Sequence, residues 1–453
     1  MQMFFAPQRS FRVAFTTLLL AVVLALPATA ADVKRVVSPG GIEAWLVEDD
    51  SNPLISMEIG FRGGAVLDPD GKEGTAAMTA ALLDEGAGEL DSVTFQRELN
   101  DRSISLRFSA GHDRFGGSLR FLTRERDRAF ELLRLALSEP RFEEEAVERI
   151  RGQMQASARR RAQDPSSIAW DALGRLVQGE HPYGRSARGT ESTLAAITPD
   201  DLRAFVKEAI ARDRLFVGVA GDITAEELGP LLDKAFGDLP ATGGATVIPE
   251  TSPRSEGGLA IIERPVPQSV AVMAQPGIKR DDPDYYTAFA LNYVLGGGSF
   301  ASRLMEEVRE ERGLAYSVYS ALSPRDEGGL IVASVATRND GVAESIEIMR
   351  DEWRRFAEEG PTAEELADAK TFLTGSFPLR LDSLRGIARM LLGMQMEDLG
   401  IDYIDRRNDY IEAITLEEAK RVAKRLFDDS QLSIVVVGQP EGLTATVTAP
   451  SGS

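Results

Sequence analysis

Apolar and polar positions over residues 296–320 alternate in a way that predicts a loop, a helix, a tight turn and a strand. Gly296, Gly297 and Gly298 open the backbone to positive φ, and Ser299 or Ser302 then stands where a helix N-cap is needed. Leu304, Met305 and Val308 recur at helical spacing, and Gly313 ends the helix. Beyond it Leu314, Tyr316 and Val318 alternate with Ala315, Ser317 and Tyr319, the period-two pattern of a strand. Such a turn folds Arg309 back towards Tyr316, so that a guanidinium and a phenol form a donor pair for a carbonyl or oxyanion. Spacing alone leaves a plainer alternative open, in which Arg309 complements a helix C-terminus and Tyr316 is an ordinary strand aromatic.

The helix-to-strand pattern recurs. Residues 197–222, ITPDDLRAFVKEAIARDRLFVGVAGD, align without a gap with residues 414–439, ITLEEAKRVAKRLFDDSQLSIVVVGQ, each a Thr-capped amphipathic helix leading into an apolar strand. Looser echoes follow upstream in the same order, pairing LLDEGAG with VLGGGSF and SAGHDRFGGSLRFL with SALSPRDEGGLIVAS. The chain therefore reads as an internal duplication. Strands grouped apart from helices predict an α+β fold: two homologous domains, each a mostly antiparallel sheet covered by helices. The expected divisions are 1–30 as a leader, 31–240 and 259–453 as the domains, and the Pro/Gly/Ser/Thr-rich stretch 241–258 as a linker.

The leader has Arg9 and Arg12, an apolar run from Val13 to Leu26, and Ala28-Thr29-Ala30 as a small-residue cleavage site, the pattern of a secretory signal peptide. In a bacterium this implies the periplasm, and no later stretch approaches the ~20 apolar residues of a membrane span. The net charge of −20 argues against nucleic acid and anionic membranes as partners. The absence of cysteine excludes thiol nucleophiles and thiolate metal sites. No nucleophile elbow, phosphate-binding loop or complete dinucleotide fingerprint is present.

The run NYVLGGGSFASRLMEEVREERGLAYSVYS at 292–320 closely resembles the second half of the insulinase/pitrilysin family of zinc metallopeptidases, which includes the mitochondrial processing peptidases. The resemblance extends from about Val33 to about Gly438, through HPYGRSARGTESTLAAIT at 181–198 and PQSVAVMAQPGIKRDDPDYY at 267–286. It implies a half-clamshell of two α+β domains. It also implies that Arg309 and Tyr316, seven residues apart, match an Arg/Tyr pair that helps hold substrate, and that Gly296, Gly297 and Gly298 are a short form of a substrate-handling glycine-rich loop.

Active members carry His-x-x-Glu-His on the first helix, where two imidazoles one turn apart ligate zinc and the Glu activates water. Here the histidine positions fall on Ala77 and Ala81, the Glu position on Ala80, and the third ligand on Ser157. The chain has two histidines, His112 and His181, neither at helical ligand spacing. No metal or other cofactor is therefore expected in this chain, and zinc is expected on a partner. By resemblance the chain is the non-catalytic subunit of a heterodimeric zinc metallopeptidase. It would be inactive alone, supplying Arg309 and Tyr316 to a homologous zinc-bearing subunit for peptide hydrolysis. The alternative is a scaffold retaining the peptidase fold for assembly only.

Overall fold

The computed structural model describes residues 32–450, so the expected leader lies outside the described residues. Strands β1 (Val33–Val37), β2 (Glu43–Glu48), β3 (Leu54–Arg62), β4 (Ser105–Ala110), β5 (Arg114–Leu122) and β6 (Leu215–Gly221) form one sheet in the order β1-β2-β6-β3-β5-β4. Strands β7 (Gly258–Glu263), β8 (Gln268–Pro276), β9 (Ala315–Arg325), β10 (Gly328–Arg338) and β11 (Ser433–Gly438) form the other, in the order β7-β11-β8-β10-β9. Each sheet has one parallel pair, β2 with β6 and β7 with β11, and is otherwise antiparallel. The duplication read from the sequence thus puts β6 and β11 at the same place in their sheets.

Helices α1 (Thr75–Leu82) and α2 (Ser92–Asp101) lie between β3 and β4. After β5 come α3 (Arg126–Ser138), α4 (Glu144–Arg161), α5 (Pro165–Gln178), α6 (Glu191–Ala196) and α7 (Pro199–Ala209), and α8 (Ala225–Phe236) follows β6. In the second half, α9 (Tyr285–Asn292) precedes β9. Five helices follow β10: α10 (Val342–Glu359), α11 (Ala363–Gly375), α12 (Leu384–Met396), α13 (Tyr403–Glu412) and α14 (Leu416–Leu426). Side-chain caps set several of these starts: Thr198, Thr362 and Thr415 accept from the backbone three residues on. No helix among the described residues is long and apolar enough to cross a membrane.

Two helices change sides. Helix α5 leaves its own half and packs on β8 and β11, while α12 packs on β3 and β6. The central strands are therefore covered on both faces, which explains their nearly unbroken apolar sequences. In β11, Ile434 and Val436 face the main core of the second half. Val435 and Val437 on the opposite face meet Ala169, Ala172, Leu173 and Val177 of α5. On the other side α12 comes so close to β6 that a Cβ on Gly218 would collide with the Ala388 carbonyl oxygen. Gln395 donates to the Val217 carbonyl at 2.8 Å, and Arg62 donates to the Met396 carbonyl at 2.7 Å.

Residues 240–257 contain no helix or strand, yet they are fastened at intervals. Thr251 donates its N–H to the Glu327 carbonyl at 2.8 Å, and Arg254 donates to the Val177 carbonyl at 2.7 Å.

Candidate functional site

The four positions where the resemblance calls for zinc machinery lie on α1 and α4, which pack together. Helix α1 begins at Gly74, held at φ 98°, because the buried Asp68 carboxylate accepts from the N–H groups of Gly74 (2.7 Å) and Ala76 (2.8 Å). Burial pushes the Asp68 carboxyl up to about 7, against the pull of these two bonds. The start of the helix is thus intact while its chemistry is gone. Ala80 is buried, and Ala77 and Ala81 are half-buried methyl groups. Ser157 accepts a bond from Arg161 Nη1 at 3.1 Å, and the same guanidinium donates to the Gly189 carbonyl at 3.0 Å. A positive charge beside Ser157 opposes a dication there, in addition to the missing imidazoles. Among the described residues no group of three or more His, Cys, Asp or Glu is placed to hold a metal.

The histidines, 69 residues apart in the chain, flank one ring: Tyr183 lies 5.9 Å from His112 and 4.6 Å from His181, centroid to centroid. His181 Nδ1 accepts the Tyr183 N–H at 3.2 Å, so its proton sits on Nε2, 2.9 Å from the Pro249 carbonyl oxygen. His112 is half-buried, and desolvation followed by the Arg325 charge lowers its pKa to about 3. The Tyr183 hydroxyl donates to Asp113 at 2.6 Å and accepts from Glu327 N–H at 3.1 Å, tying the β4–β5 turn to the β9–β10 turn. This is a junction between the two halves.

At the second candidate region the structure brings Arg309, Tyr316 and a third residue, Phe300, together. The Arg309 guanidinium carbon lies 4.9 Å from the centre of the Tyr316 ring and 4.5 Å from that of Phe300. Its Nε is 3.4 Å from Glu310. Both rings are open to solvent, Tyr316 at 84% and Phe300 at 64% exposed. A guanidinium held between two aromatic faces keeps its in-plane N–H groups for an incoming acceptor. Phe300 was legible only as the first aromatic after the three glycines.

Two local expectations are corrected here. The three glycines are not a loop at positive φ: Gly296 and Gly297 lie in a π-helical turn, Tyr293–Gly297, and it is Ser299 that takes φ 51°. The glycines serve close approach instead. A Cβ on Gly296 would stand 2.5 Å from Ser320 N, and one on Gly298 2.7 Å from the Tyr293 carbonyl oxygen. The strand after Gly313 also departs from strict alternation. Val318 pairs with Val335 but Ala315 with Thr337, so β9 carries one extra residue, a bulge that turns both Tyr316 and Ser317 outward. Gly313, at φ 62°, does end the helix, its N–H bonded to the Arg309 carbonyl at 2.9 Å.

A family model described as the peptidase M16 inactive domain matches residues 196–373. A Helicobacter pylori protein described as a non-peptidase homolog is 27% identical over 422 residues, covering 93% of this chain and 97% of that one. The crystal structure of a peptidase M16 inactive domain from Pseudomonas fluorescens superposes with a TM-score of 0.85 at 28% identity, over 92% of this chain and all of that one. Over nearly its whole length this chain is similar to inactive homologues of the peptidase M16 family. The M16 homologue is also 29% identical over 278 residues to an uncharacterized zinc protease of Bacillus subtilis, spanning 60% of this chain and 66% of that relative. A protease structure from Helicobacter pylori shares the fold at 18% identity, with a TM-score of 0.81. In this M16 homologue the zinc positions are methyl and hydroxyl groups beside an arginine, whereas the Arg309 region is built and exposed.

Proposed function

We propose that this chain is the substrate-binding, non-catalytic subunit of a heterodimeric zinc metallopeptidase, acting in the periplasm after loss of its leader. One observation supports the reading most: Arg309, in a second π-helical turn, Glu306–Glu310, lies between Phe300 and Tyr316 on an exposed face beside the β9 bulge, local irregularities of the kind found beside functional sites. A chain kept only for assembly needs neither irregularity. In this reading zinc is bound by a homologous partner with an intact His-x-x-Glu-His, and peptide lies between the two subunits. Charge that grows on the scissile carbonyl oxygen meets the Arg309 and Tyr316 donors from this chain.

The test is co-expression with a homologous exported chain that carries the zinc motif. The expected result is a one-to-one complex on gel filtration, with peptide hydrolysis by the complex far above that of either chain alone. A complex whose activity matches the zinc chain alone identifies a scaffold instead.

A further inference from the structure

A pocket of about 530 Å³ opens where α12 crosses from the second half towards the first, and its lining runs against the charge of the whole protein. Five arginines reach it, Arg114, Arg280, Arg380, Arg389 and Arg407, against a single acid, Glu397. Glu397 is already paired with Arg114. The other four have no carboxylate within ion-pair distance among the described residues, in a chain whose net charge is −20. The most telling is Arg407, only 5% exposed, whose Nη1 donates to the Leu373 carbonyl at 2.6 Å and the Asn408 side-chain oxygen at 3.0 Å. A buried guanidinium is normally matched by an anion. Burial, partly offset by Tyr403, and the charge of Arg380 hold the Arg407 guanidinium below its ordinary pKa.

Aromatic rings hold these cations from behind. Arg280 sits 4.0 Å from the centre of the Tyr285 ring and 4.9 Å from that of Tyr286, and Arg407 sits 4.6 Å from that of Phe377. Stacking engages the flat face of a guanidinium; Arg280 Nη2 donates to the Tyr286 hydroxyl at 2.9 Å and Arg407 Nη1 is bonded as above, and the remaining edge donors are left for a forked acceptor such as a carboxylate or phosphate. Phe289, Met390 and Met394 supply apolar wall beside them. The volume falls in the range of small-ligand sites.

We infer that this pocket binds an acid carried on an aromatic or apolar body, its carboxylate or phosphate received by Arg280, Arg380, Arg389 and Arg407 and its body laid against Tyr285, Phe289 and Phe377. The inference is independent of the peptidase-subunit reading. Free small molecules and the C-terminal end of a peptide share this chemistry.

The test is titration of the full chain with 4-methylumbelliferyl phosphate, with a short peptide ending in phenylalanine as its free acid, and with inorganic phosphate. The neutral controls are 4-methylumbelliferone and the amidated peptide. Saturable binding of one aromatic acid per chain is expected, at least about tenfold tighter than inorganic phosphate and than its neutral control. Whichever of the two aromatic acids binds more tightly identifies the source. Arg380→Gln and Arg389→Gln, both at exposed positions, are each expected to weaken binding about tenfold, and raised salt to weaken it further. In the wild type the bound acid should also raise the melting temperature, and that rise should vanish in the Arg380→Gln/Arg389→Gln double variant. Absence of saturable binding up to about 10 mM, equal affinity for the neutral controls, or unchanged affinity in both variants overturns the inference.

Discussion

Arg303 grips Glu365 with two parallel bonds, Nε to Oε1 at 2.6 Å and Nη2 to Oε2 at 2.7 Å, and Nη2 also reaches the Gly360 carbonyl at 3.1 Å. The fork ties the helical turn that carries Arg309 to the corner between α10 and α11. Burial alone would raise the Glu365 carboxyl, but the bonds from Arg303 and Thr362 outweigh it and hold its pKa below the ordinary value. The stabilisation is therefore present above the unfolded carboxylate pKa and is lost as pH falls through the folded one. Arg303→Ala is expected to cost about 3 kcal/mol in urea unfolding near neutral pH, and less at acid pH. A loss under about 0.5 kcal/mol would place the pair among ordinary surface contacts.

Arg309→Ala and Tyr316→Phe are expected to leave folding and complex formation unchanged, because both rings around Arg309 are exposed. In the proposed heterodimer each should lower kcat/KM by at least about tenfold, through kcat where the donor acts on the transition state and through KM where it only anchors peptide. Wild-type rates in both variants would reduce the pair to a structural role.

Ala77, Ala80, Ala81 and Ser157 leave zinc no ligand set, and Arg161 adds a positive charge beside the last of them. The purified chain, dialysed against zinc and then buffer, is expected to retain well under one metal per chain and to hydrolyse no peptide. One tightly held zinc, with chelator-sensitive cleavage, would falsify this.

His112 gives a pH dependence of definite sign. In the unfolded chain it takes a proton near its ordinary value of about 6.5, and in the fold only near 3, since burial and Arg325 disfavour the cation. The unfolded state therefore binds more protons between these limits, and stability falls as pH drops from about 6.5 towards 3, by at most about 1.4 kcal/mol per unit from this group. Asp113 beside it, raised by burial, works in the opposite sense, so the clean measurement is a difference. Stability curves of wild type and His112→Gln should converge as pH falls. Parallel curves would mean that His112 titrates freely in the fold.

Gly218→Ala should push α12 off β6, because the new methyl meets the Ala388 backbone. A cost of about 1–3 kcal/mol in thermal or urea unfolding is expected. Gly60→Ala meets the flexible Met396 thioether at 2.7 Å and should cost less. The reverse order would show that α12 is not the element wedged there.

The repeat and the mixed fold were legible because each rests on local pattern: Thr-capped helices before apolar strands. The meeting of Arg309 with Tyr316 was legible through the turn at Gly313. What the sequence hid depends on a neighbouring strand or a distant segment. The β9 bulge is defined only against β10, and the π turn at Tyr293–Gly297 only against Ser320. The joining of His112 and His181 through Tyr183 and the gathering of Arg114, Arg280, Arg389 and Arg407 depend on how the halves dock. The apolar run of β11 was legible as a strand, but that α5 covers its second face was not.

The exchange of α5 and α12 sets an order on synthesis. As the chain leaves the ribosome, β6 can pair with β3 long before α12 exists, so one face of the first sheet waits bare while the second half is made. Helix α5, in turn, emerges with its apolar stripe unmatched until β8 and β11 follow. Neither half can reach its final packing as a nascent domain, and the last turn of folding belongs to the C-terminal third of the chain. A chaperone that shields apolar surface during synthesis would have its work at these two faces.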